Sequence, residues 1–264
     1  MDEMRHKQLR LEHNPDGSVL RTLQLKLLDI LVDLAKICEE NGIHYILAYG
    51  TLLGAVRHEG FIPWDDDIDI MVPQSEIKIL KELIVRDGRY DWQDHETDKH
   101  YYQRFFKVRS KKDFVNEPNC DSYKFKGLYV DVFPVEKMPT WMPRFACRAT
   151  SGLTDKVRKT SLGIEGVVYD FSSYVTIPVL RFISSIARKK EYYSSYGHYE
   201  FSKLFIKSFD DVQKADFENH HFFIPRDFDK CLIETFGNYM EIPERTKRPT
   251  HASEFIIDGQ TVHI

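Results

Sequence analysis

Residues 45–72 read YILAYGTLLGAVRHEGFIPWDDDIDIMV, and they carry the strongest structural and chemical signals in the chain. An apolar run at residues 43–49 predicts a strand, Gly50 and Thr51 predict a turn, and the following residues predict a short helix that Gly60 ends. A second strand is predicted to begin inside the run of aspartates. We therefore expect two strands joined by a short helix, with acidic side chains at the start of the second strand.

The aspartates of that second strand predict a metal site. Side chains alternate between the faces of a strand, so Asp67 and Asp69 point the same way while Ile68 and Ile70 face the core. Two carboxylates held side by side repel each other, and a divalent cation is the usual means of offsetting that repulsion. Hard oxygen ligands of this kind suit one or two Mg2+ or Mn2+ ions.

Three other interpretations of the acidic run remain open. An exposed acidic edge does not account for the β-branched residues between the acids. A calcium loop would use three of the aspartates and Glu76 as ligands, but Ile70 stands where that loop requires Gly. The third is the D-x-D motif of a nucleotide-sugar glycosyltransferase, which has no upstream element equivalent to Gly50 and Thr51.

Gly50 and Thr51 predict a phosphate-binding turn. A helix that begins after Gly offers free backbone N–H groups and a positive dipole end to a phosphate, and Gly lets the backbone approach closely. The Thr51 hydroxyl can cap the helix and contact the same phosphate. A Gly-Thr pair followed by such paired aspartates is the pattern of the nucleotidyltransferase fold.

A third acid lies in a strand predicted at residues 128–135, LYVDVFPV. Asp131 is a single carboxylate in an apolar run, and a carboxylate is costly to bury without a partner. Placed on a strand beside Asp67 and Asp69, it would complete a set of three that binds metal and carries the catalysis. An edge position facing water is the alternative.

Residues 50–70, GTLLGAVRHEGFIPWDDDIDI, resemble the signature of the LicD family, phosphocholine transferases of bacterial surface glycans that are also similar to the fukutin-type proteins. Residues 222–251, FFIPRDFDKCLIETFGNYMEIPERTKRPTH, are similar to the terminal segment of that family. The resemblance implies a nucleotidyltransferase-like core, a CDP-choline donor and release of CMP. It also implies a sugar hydroxyl as acceptor, on a lipid-linked precursor of teichoic acid, capsule or lipopolysaccharide.

Nothing in the central motif identifies the alcohol on the donor. CDP-linked glycerol or ribitol phosphate therefore remains an alternative donor. Side chains near the acids or at the chain's end, with charges or rings suited to phosphate or choline, are predicted to bind substrate beside Gly50 and Thr51. They are Arg57, His58, Trp64, Lys107, Arg248 and His251, and the further candidates for a ring that contacts choline are Tyr49, Tyr129 and Trp141.

We predict an α+β fold with a mixed β-sheet flanked by helices. One of these is an amphipathic helix that begins near Val19, has apolar residues at Leu23, Leu27, Leu31 and Leu34, and ends at Asn41 and Gly42. The predicted divisions are a catalytic core with an N-terminal helix at residues 1–135, a helical insert or lobe at 136–210, and a C-terminal helix with a substrate-binding tail at 211–264. The middle part contains an apolar run that is too short to span a bilayer. It is interpreted as a buried lobe, with a surface against the membrane as the alternative because Arg188, Lys189 and Lys190 follow.

Composition limits the remaining function classes. A net charge of −4 and a pI near 6.3 argue against a general nucleic-acid binder. The four cysteines form no C-x-x-C pair, and the first residues lack the apolar core of a signal peptide. We expect a cytoplasmic protein at the inner face of the membrane, and the sequence does not indicate an oligomeric state.

Overall fold

The computed structural model describes residues 3–116, 120–160, 163–199, 202–244, 254–257 and 260–263. The helices are α1 (Glu3–His13), α2 (Val19–Glu40), α3 (Tyr49–His58), α4 (Ile77–Asp87), α5 (Met142–Ala149), α6 (Ser151–Arg158), α7 (Glu165–Phe171), α8 (Ile177–Ile186) and α9 (Phe228–Phe236). The strands are β1 (Ile46–Leu47), β2 (Asp69–Pro73), β3 (Tyr90–Gln93), β4 (Phe106–Asn116), β5 (Gly127–Met138), β6 (Glu191–Ser194), β7 (Lys203–Leu204), β8 (Val212–Phe217), β9 (His220–Pro225), β10 (Glu254–Ile257) and β11 (Gln260–His263).

The core is a mixed sheet in which the strands run in the order β1-β2-β5-β4-β10-β11. β2 and β5 are parallel, whereas β4 pairs antiparallel with β5. β3 adds to β4, and β6 and β7 extend from the far end of β5, while β8 and β9 form a separate hairpin. The predicted α+β fold, a mixed sheet flanked by helices, is confirmed.

Helix α2 follows from the apolar spacing of its sequence. Leu23, Leu27, Leu31 and Leu34 recur at intervals of three and four residues, and each is almost completely buried. The Ser18 side chain caps the helix by accepting a hydrogen bond from the Arg21 N–H at 3.2 Å. The predicted amphipathic helix is confirmed, and its buried face packs into the main core.

The first strand of the central motif is shorter than predicted. Only Ile46–Leu47 pairs with β2, and α3 begins at Tyr49, whose φ of 41° turns the chain out of the strand. The prediction that Gly60 ends this helix is wrong, because Glu59 takes the left-handed conformation instead, at φ 54°. Gly60 is needed for packing, since a Cβ there would lie 2.5 Å from the Glu218 Oε1 atom.

The middle of the chain contains the predicted helical lobe. Helices α5 and α8 pack with the ends of β5 and β6 around a small separate core, and β6 and β7 return the chain to the sheet. That core consists of Met138, Met142, Ala146, Ile177, Leu180, Tyr193 and Tyr196. The domain boundaries at residues 135 and 210 stay a prediction.

Candidate active site

A cleft of about 830 Å³ lies over the start of β2, which carries Asp69, and over the neighbouring part of β5, which carries Asp131. One wall is formed by α3 and the segment that leads into β2, and another by residues 103–105 with β5. The lobe contributes residues 197–199, and α9 with the residues after it closes the remaining side. Segments between Tyr49 and Pro243 that are far apart in the chain therefore meet at this cleft.

The predicted acids meet in the cleft. Asp67, Asp69 and Asp131 all line it, together with Asp65, and only Asp67 of the four is more than slightly exposed. The parallel pairing of β2 with β5 puts Asp69 directly opposite Asp131, and the Asp131 N–H donates to the Ile68 carbonyl at 2.8 Å. Backbone register is thus what brings an acid of one strand beside an acid of another, 62 positions further on.

Lys107 has a different position from the one predicted. It does not line the cleft, and its Nζ donates to Asp131 Oδ1 at 2.8 Å and to Oδ2 at 3.2 Å. The same ammonium lies 3.1 Å from the centre of the Tyr129 ring, a cation–π contact, and the lysine is 5% exposed. Arg109, two residues along the strand, is fully buried and donates to the Gly127 carbonyl, so it serves the fold.

Whether the acids can bind a divalent cation depends on the chemistry of their donor atoms and on how their side chains are arranged. Carboxylate oxygens are the donors that Mg2+ and Mn2+ prefer. In the part of the chain that the structure describes, however, no three His, Cys, Asp or Glu side chains are arranged as a metal site. A cation held by Asp67, Asp69 and Asp131 would share the Asp131 carboxylate with Lys107 or displace that lysine.

Gly50 and Thr51 have separate roles. Gly50 lines the cleft, where a Cβ would lie 2.9 Å from Asp65 Oδ2, so glycine lets a carboxylate approach the first turn of α3. The Thr51 hydroxyl accepts a hydrogen bond from the Asp69 N–H at 2.8 Å and is buried outside the cleft lining. The expectation that it caps the helix is wrong, because α3 has no side-chain cap. Thr51 instead fixes the start of β2 at Asp69.

Arg57 lines the cleft and holds its C-terminal wall. Its Nη1 donates to the carbonyls of Tyr239 at 2.6 Å and Glu241 at 3.3 Å, and its Nε donates to His58 Nε2 at 3.0 Å. Burial lowers the pKa of Arg57 to about 10, which leaves it charged at neutral pH. The guanidinium therefore anchors the segment after α9 at the edge of the cleft.

His58 lies behind the cleft and not in it. Burial, followed by the nearby charges of Arg57 and His6, lowers the pKa of His58 to about 2. The ring is neutral at physiological pH, and its Nε2 can accept the hydrogen bond from Arg57. The two ring nitrogens of His58 contact Arg57 Nε and His6 Nδ1.

Aromatic side chains form a wall of the cleft beside the acids. The Phe133 ring lies 5.0 Å from Tyr49, 4.8 Å from Phe105 and 4.8 Å from His198, measured between ring centres. All four line the cleft, and we call them the aromatic wall. Trp64 lines it as well and is 6% exposed.

Sequence reasoning named Tyr49 as a ring candidate but missed the other members of the aromatic wall. Phe133 could have been identified from the sequence, because it follows Asp131 by two residues in the same strand and must share its face. Phe105 and His198 carry no local signal, because they come from a loop and from a region without motifs. Arg104 was also missed, and it lines the cleft while its side chain bonds to the lobe.

The terminal segment contributes to the cleft through residues before the predicted cations. Thr235, Phe236, Asn238, Tyr239, Glu241 and Pro243 line it. Arg248 and His251 lie outside the described residues, and their substrate-binding role stays a prediction. Trp141, a further ring candidate, is 55% exposed on α5 and does not line the cleft.

Comparison with known proteins finds a family domain in the part of the chain that contains the acids. Residues 42–150 match the family model described as the LicD/FKTN/FKRP nucleotidyltransferase domain, a range that includes α3, β2 and the Asp131 strand. The chain carries a LicD-family domain. Along nearly the whole chain, it is similar to the lipopolysaccharide cholinephosphotransferase LicD of Haemophilus influenzae, with 24% identity over 262 residues, which cover 90% of this chain and 98% of the relative.

Two shorter similarities involve uncharacterized proteins of Rickettsia. The one from Rickettsia prowazekii is 40% identical over 60 residues, 23% of either chain, and the one from Rickettsia typhi is 50% identical over 52 residues, 20% of this chain and 17% of the relative. The LicD domain thus accounts for the acids and the turn at Gly50, whereas the aromatic wall includes His198, outside the matched range.

Proposed function

We propose that this protein transfers phosphocholine from CDP-choline to a hydroxyl of a glycan precursor and releases CMP. The family assignment itself makes the chain a transferase that acts on phosphate-linked groups. The choice of phosphocholine and of a surface-glycan acceptor is supported by the similarity to the lipopolysaccharide cholinephosphotransferase of Haemophilus influenzae, which extends over both chains nearly end to end. A lipid-linked acceptor at the inner face of the membrane is part of the same proposal.

The observation that carries the donor assignment is the pairing of carboxylates with an aromatic wall in one cleft. Asp67, Asp69 and Asp131 line one part of it, and the rings around Phe133 line another. Aromatic faces attract quaternary ammonium groups, with energies of about 0.5–2 kcal/mol per contact depending on desolvation. A donor with a phosphate at one end and a choline at the other matches that combination.

The residues at the acidic end suit direct displacement at phosphorus. Asp67, Asp69 and Asp131 would hold one or two Mg2+ ions, which supply charge neutralisation on the phosphates and lower the pKa of an attacking hydroxyl. The first turn of α3 at Gly50 offers backbone N–H groups to a phosphate oxygen. One of the aspartates would accept the proton from the acceptor hydroxyl as it attacks, and the CMP leaving group would depart on the opposite side.

The direct test is CMP release by the purified protein from CDP-choline, CDP-glycerol and CDP-ribitol, each with Mg2+ and a glycan acceptor. We expect release from CDP-choline, and a loss of about 10²–10³-fold in kcat for Asp69→Asn, the usual effect of removing one preorganised electrostatic group. Asp66→Asn is the matched control, because Asp66 is a buried neighbour that does not line the cleft. Equal rates for Asp69→Asn and the wild type would remove the catalytic assignment.

A second pair of variants tests the aromatic wall. Phe105→Leu should raise KM for CDP-choline by about 2- to 30-fold, corresponding to the loss of one cation–π contact, and should leave KM for CDP-glycerol unchanged. Phe106→Leu is the control, since the neighbouring ring packs on Trp92 at 5.0 Å and does not line the cleft. Preferred release of CMP from CDP-glycerol would favour a polyol-phosphate transferase, and consumption of a nucleotide sugar would favour a glycosyltransferase.

A further inference from the structure

The lobe carries an exposed apolar stripe along one continuous helical segment. Helices α7 and α8 are joined without a break by a π-helical turn at Ser172–Thr176. Exposed apolar side chains recur every three or four residues along this segment, apart from one interval of five residues at the π-helical turn. A π-helix has more residues per turn than an α-helix, so the longer interval keeps these side chains on one side. This lobe stripe consists of Val167, Phe171, Tyr174, Val179, Phe182 and Ile186.

The lobe stripe is additional to the face that the fold already uses. Tyr169, Ile177 and Leu180 of the same segment are buried, and the latter two belong to the small core of the lobe. By contrast, Tyr174 and Ile186 are each 72% exposed. A helix that is apolar on both its buried and its exposed side indicates a second apolar environment, because monomeric soluble proteins rarely expose a large contiguous apolar patch.

The charge around the lobe stripe is strongly positive. Arg188, Lys189 and Lys190 follow α8 directly and are exposed. Residues 141–190 contain nine Lys or Arg and three Asp or Glu, a net charge of +6 in a chain whose total is −4. The segment that exposes the lobe stripe therefore carries a basic excess although the chain as a whole is acidic.

We infer that the lobe stripe and its basic border dock this protein onto a bilayer surface that contains anionic lipids. Aromatic and aliphatic side chains would enter the headgroup region while the cations meet lipid phosphates, which is how interfacial amphipathic helices bind. None of the helices in the described part of the chain is both long and apolar enough to cross a membrane, and the docking is peripheral. A second copy seated on the same stripe is disfavoured, because two lobes of like charge would face each other.

The docking helix is bonded directly to the wall of the cleft. Arg104, which lines the cleft, donates to Ser173 Oγ at 2.7 Å and to the Tyr169 carbonyl at 3.3 Å. The Tyr169 hydroxyl donates in turn to the Gln103 carbonyl at 2.9 Å. Attachment through the lobe stripe would hold the cleft close to the bilayer surface. That position would give the cleft access to a lipid-linked acceptor, an inference that rests on the function proposed above.

Sedimentation of the full chain with vesicles tests the docking. We expect binding to phosphatidylcholine vesicles that contain phosphatidylglycerol, and weaker binding to phosphatidylcholine alone. Val167→Ser combined with Phe182→Ser should lower the partition coefficient at least about tenfold, because both side chains would leave the bilayer. Ile79→Ser combined with Val85→Ser is the matched control, as these apolar residues are 50% and 59% exposed on α4, outside the lobe.

Lys189→Gln and Lys190→Gln should each weaken binding about fivefold on the anionic vesicles and leave binding to phosphatidylcholine unchanged. The docking is overturned if the wild type does not sediment with anionic vesicles, or if the lobe and control pairs have equal effects. It is also overturned if light scattering shows a dimer that only the lobe pair dissociates, with vesicle binding unchanged. CMP release with a soluble acceptor, measured on the same variants, reports separately on the proposed function.

Discussion

The contact between Lys107 and Asp131 leads to the prediction with the largest expected effect. Lys107→Met keeps the unbranched apolar part of the side chain and removes the ammonium that donates to both carboxylate oxygens of Asp131. Both residues are almost fully buried, at 5% and 7% exposure, so water does not replace the lost partner freely. The variant should be less stable than the wild type, and a divalent cation should offset part of the loss.

The magnitude follows from burial. Breaking a buried ion pair by removing one partner costs about 3–5 kcal/mol. For chains of this size each kcal/mol lowers Tm by about 2–4 °C, so the expected fall is about 6–20 °C. Lys107→Met combined with Asp131→Asn should recover most of that loss, because the double variant no longer buries the unbalanced carboxylate.

Thermal unfolding at pH 7, in EDTA and in millimolar Mg2+, provides the assay. Mg2+ should raise Tm more in Lys107→Met than in the wild type, since Asp131 no longer has to share its oxygens with the lysine. A single variant as stable as the wild type in EDTA, or a double variant no better than the single one, would refute the ion-pair reasoning. Equal Mg2+ shifts in both proteins would contradict the assignment of Asp131 as a metal ligand.

Three further predictions concern the α3 segment. Gly54→Ala would place a Cβ 2.4 Å from the Gly60 carbonyl oxygen and should cost about 1–3 kcal/mol in urea unfolding, whereas Gly166→Ala, with its nearest atom at 3.5 Å, should be neutral or slightly stabilising. His58 keeps its pKa near 2 in the fold against 6.5 in the unfolded chain, so protonation of the unfolded state removes stability as pH falls below 6.5. Between pH 7 and pH 5 the free energy of unfolding of His58→Gln should therefore fall by about 2 kcal/mol less than that of the wild type. Equal falls in both proteins would contradict a buried neutral ring. Arg57→Lys removes the guanidinium whose Nη1 donates to two main-chain carbonyls of the C-terminal wall, and KM for the donor should rise roughly tenfold. An unchanged KM would indicate that this wall does not contact the donor.

Much of the local structure follows from the sequence alone. The spacing of Leu23, Leu27, Leu31 and Leu34 predicts α2 because a helix has a period near 3.6 residues, and the burial of those side chains agrees with it. The alternation around Asp69 predicts which side chains share a face, because a strand has a period of two. Both periods depend only on residues that are close together in the chain, so the amino-acid sequence is enough to predict them.

Partners far apart in the chain could not be obtained in this way. We predicted from the sequence that Asp131 lies beside the other acids. Only the parallel register of β2 and β5 shows that its direct neighbour is Asp69. The assignment of Lys107 to Asp131, of Thr51 to the Asp69 N–H and of Arg57 to the C-terminal carbonyls depends on the same packing.

The sequence by itself determined the α+β class, the amphipathic helices and the acidic motif that places the chain beside the LicD family. The tertiary structure decided which acid neighbours which cation, that rings from four segments form one wall, and that the lobe presents an apolar stripe outward. The physical reason is that helix and strand periods depend on adjacent residues, whereas the environment of a buried charge or ring depends on which distant segments pack against it.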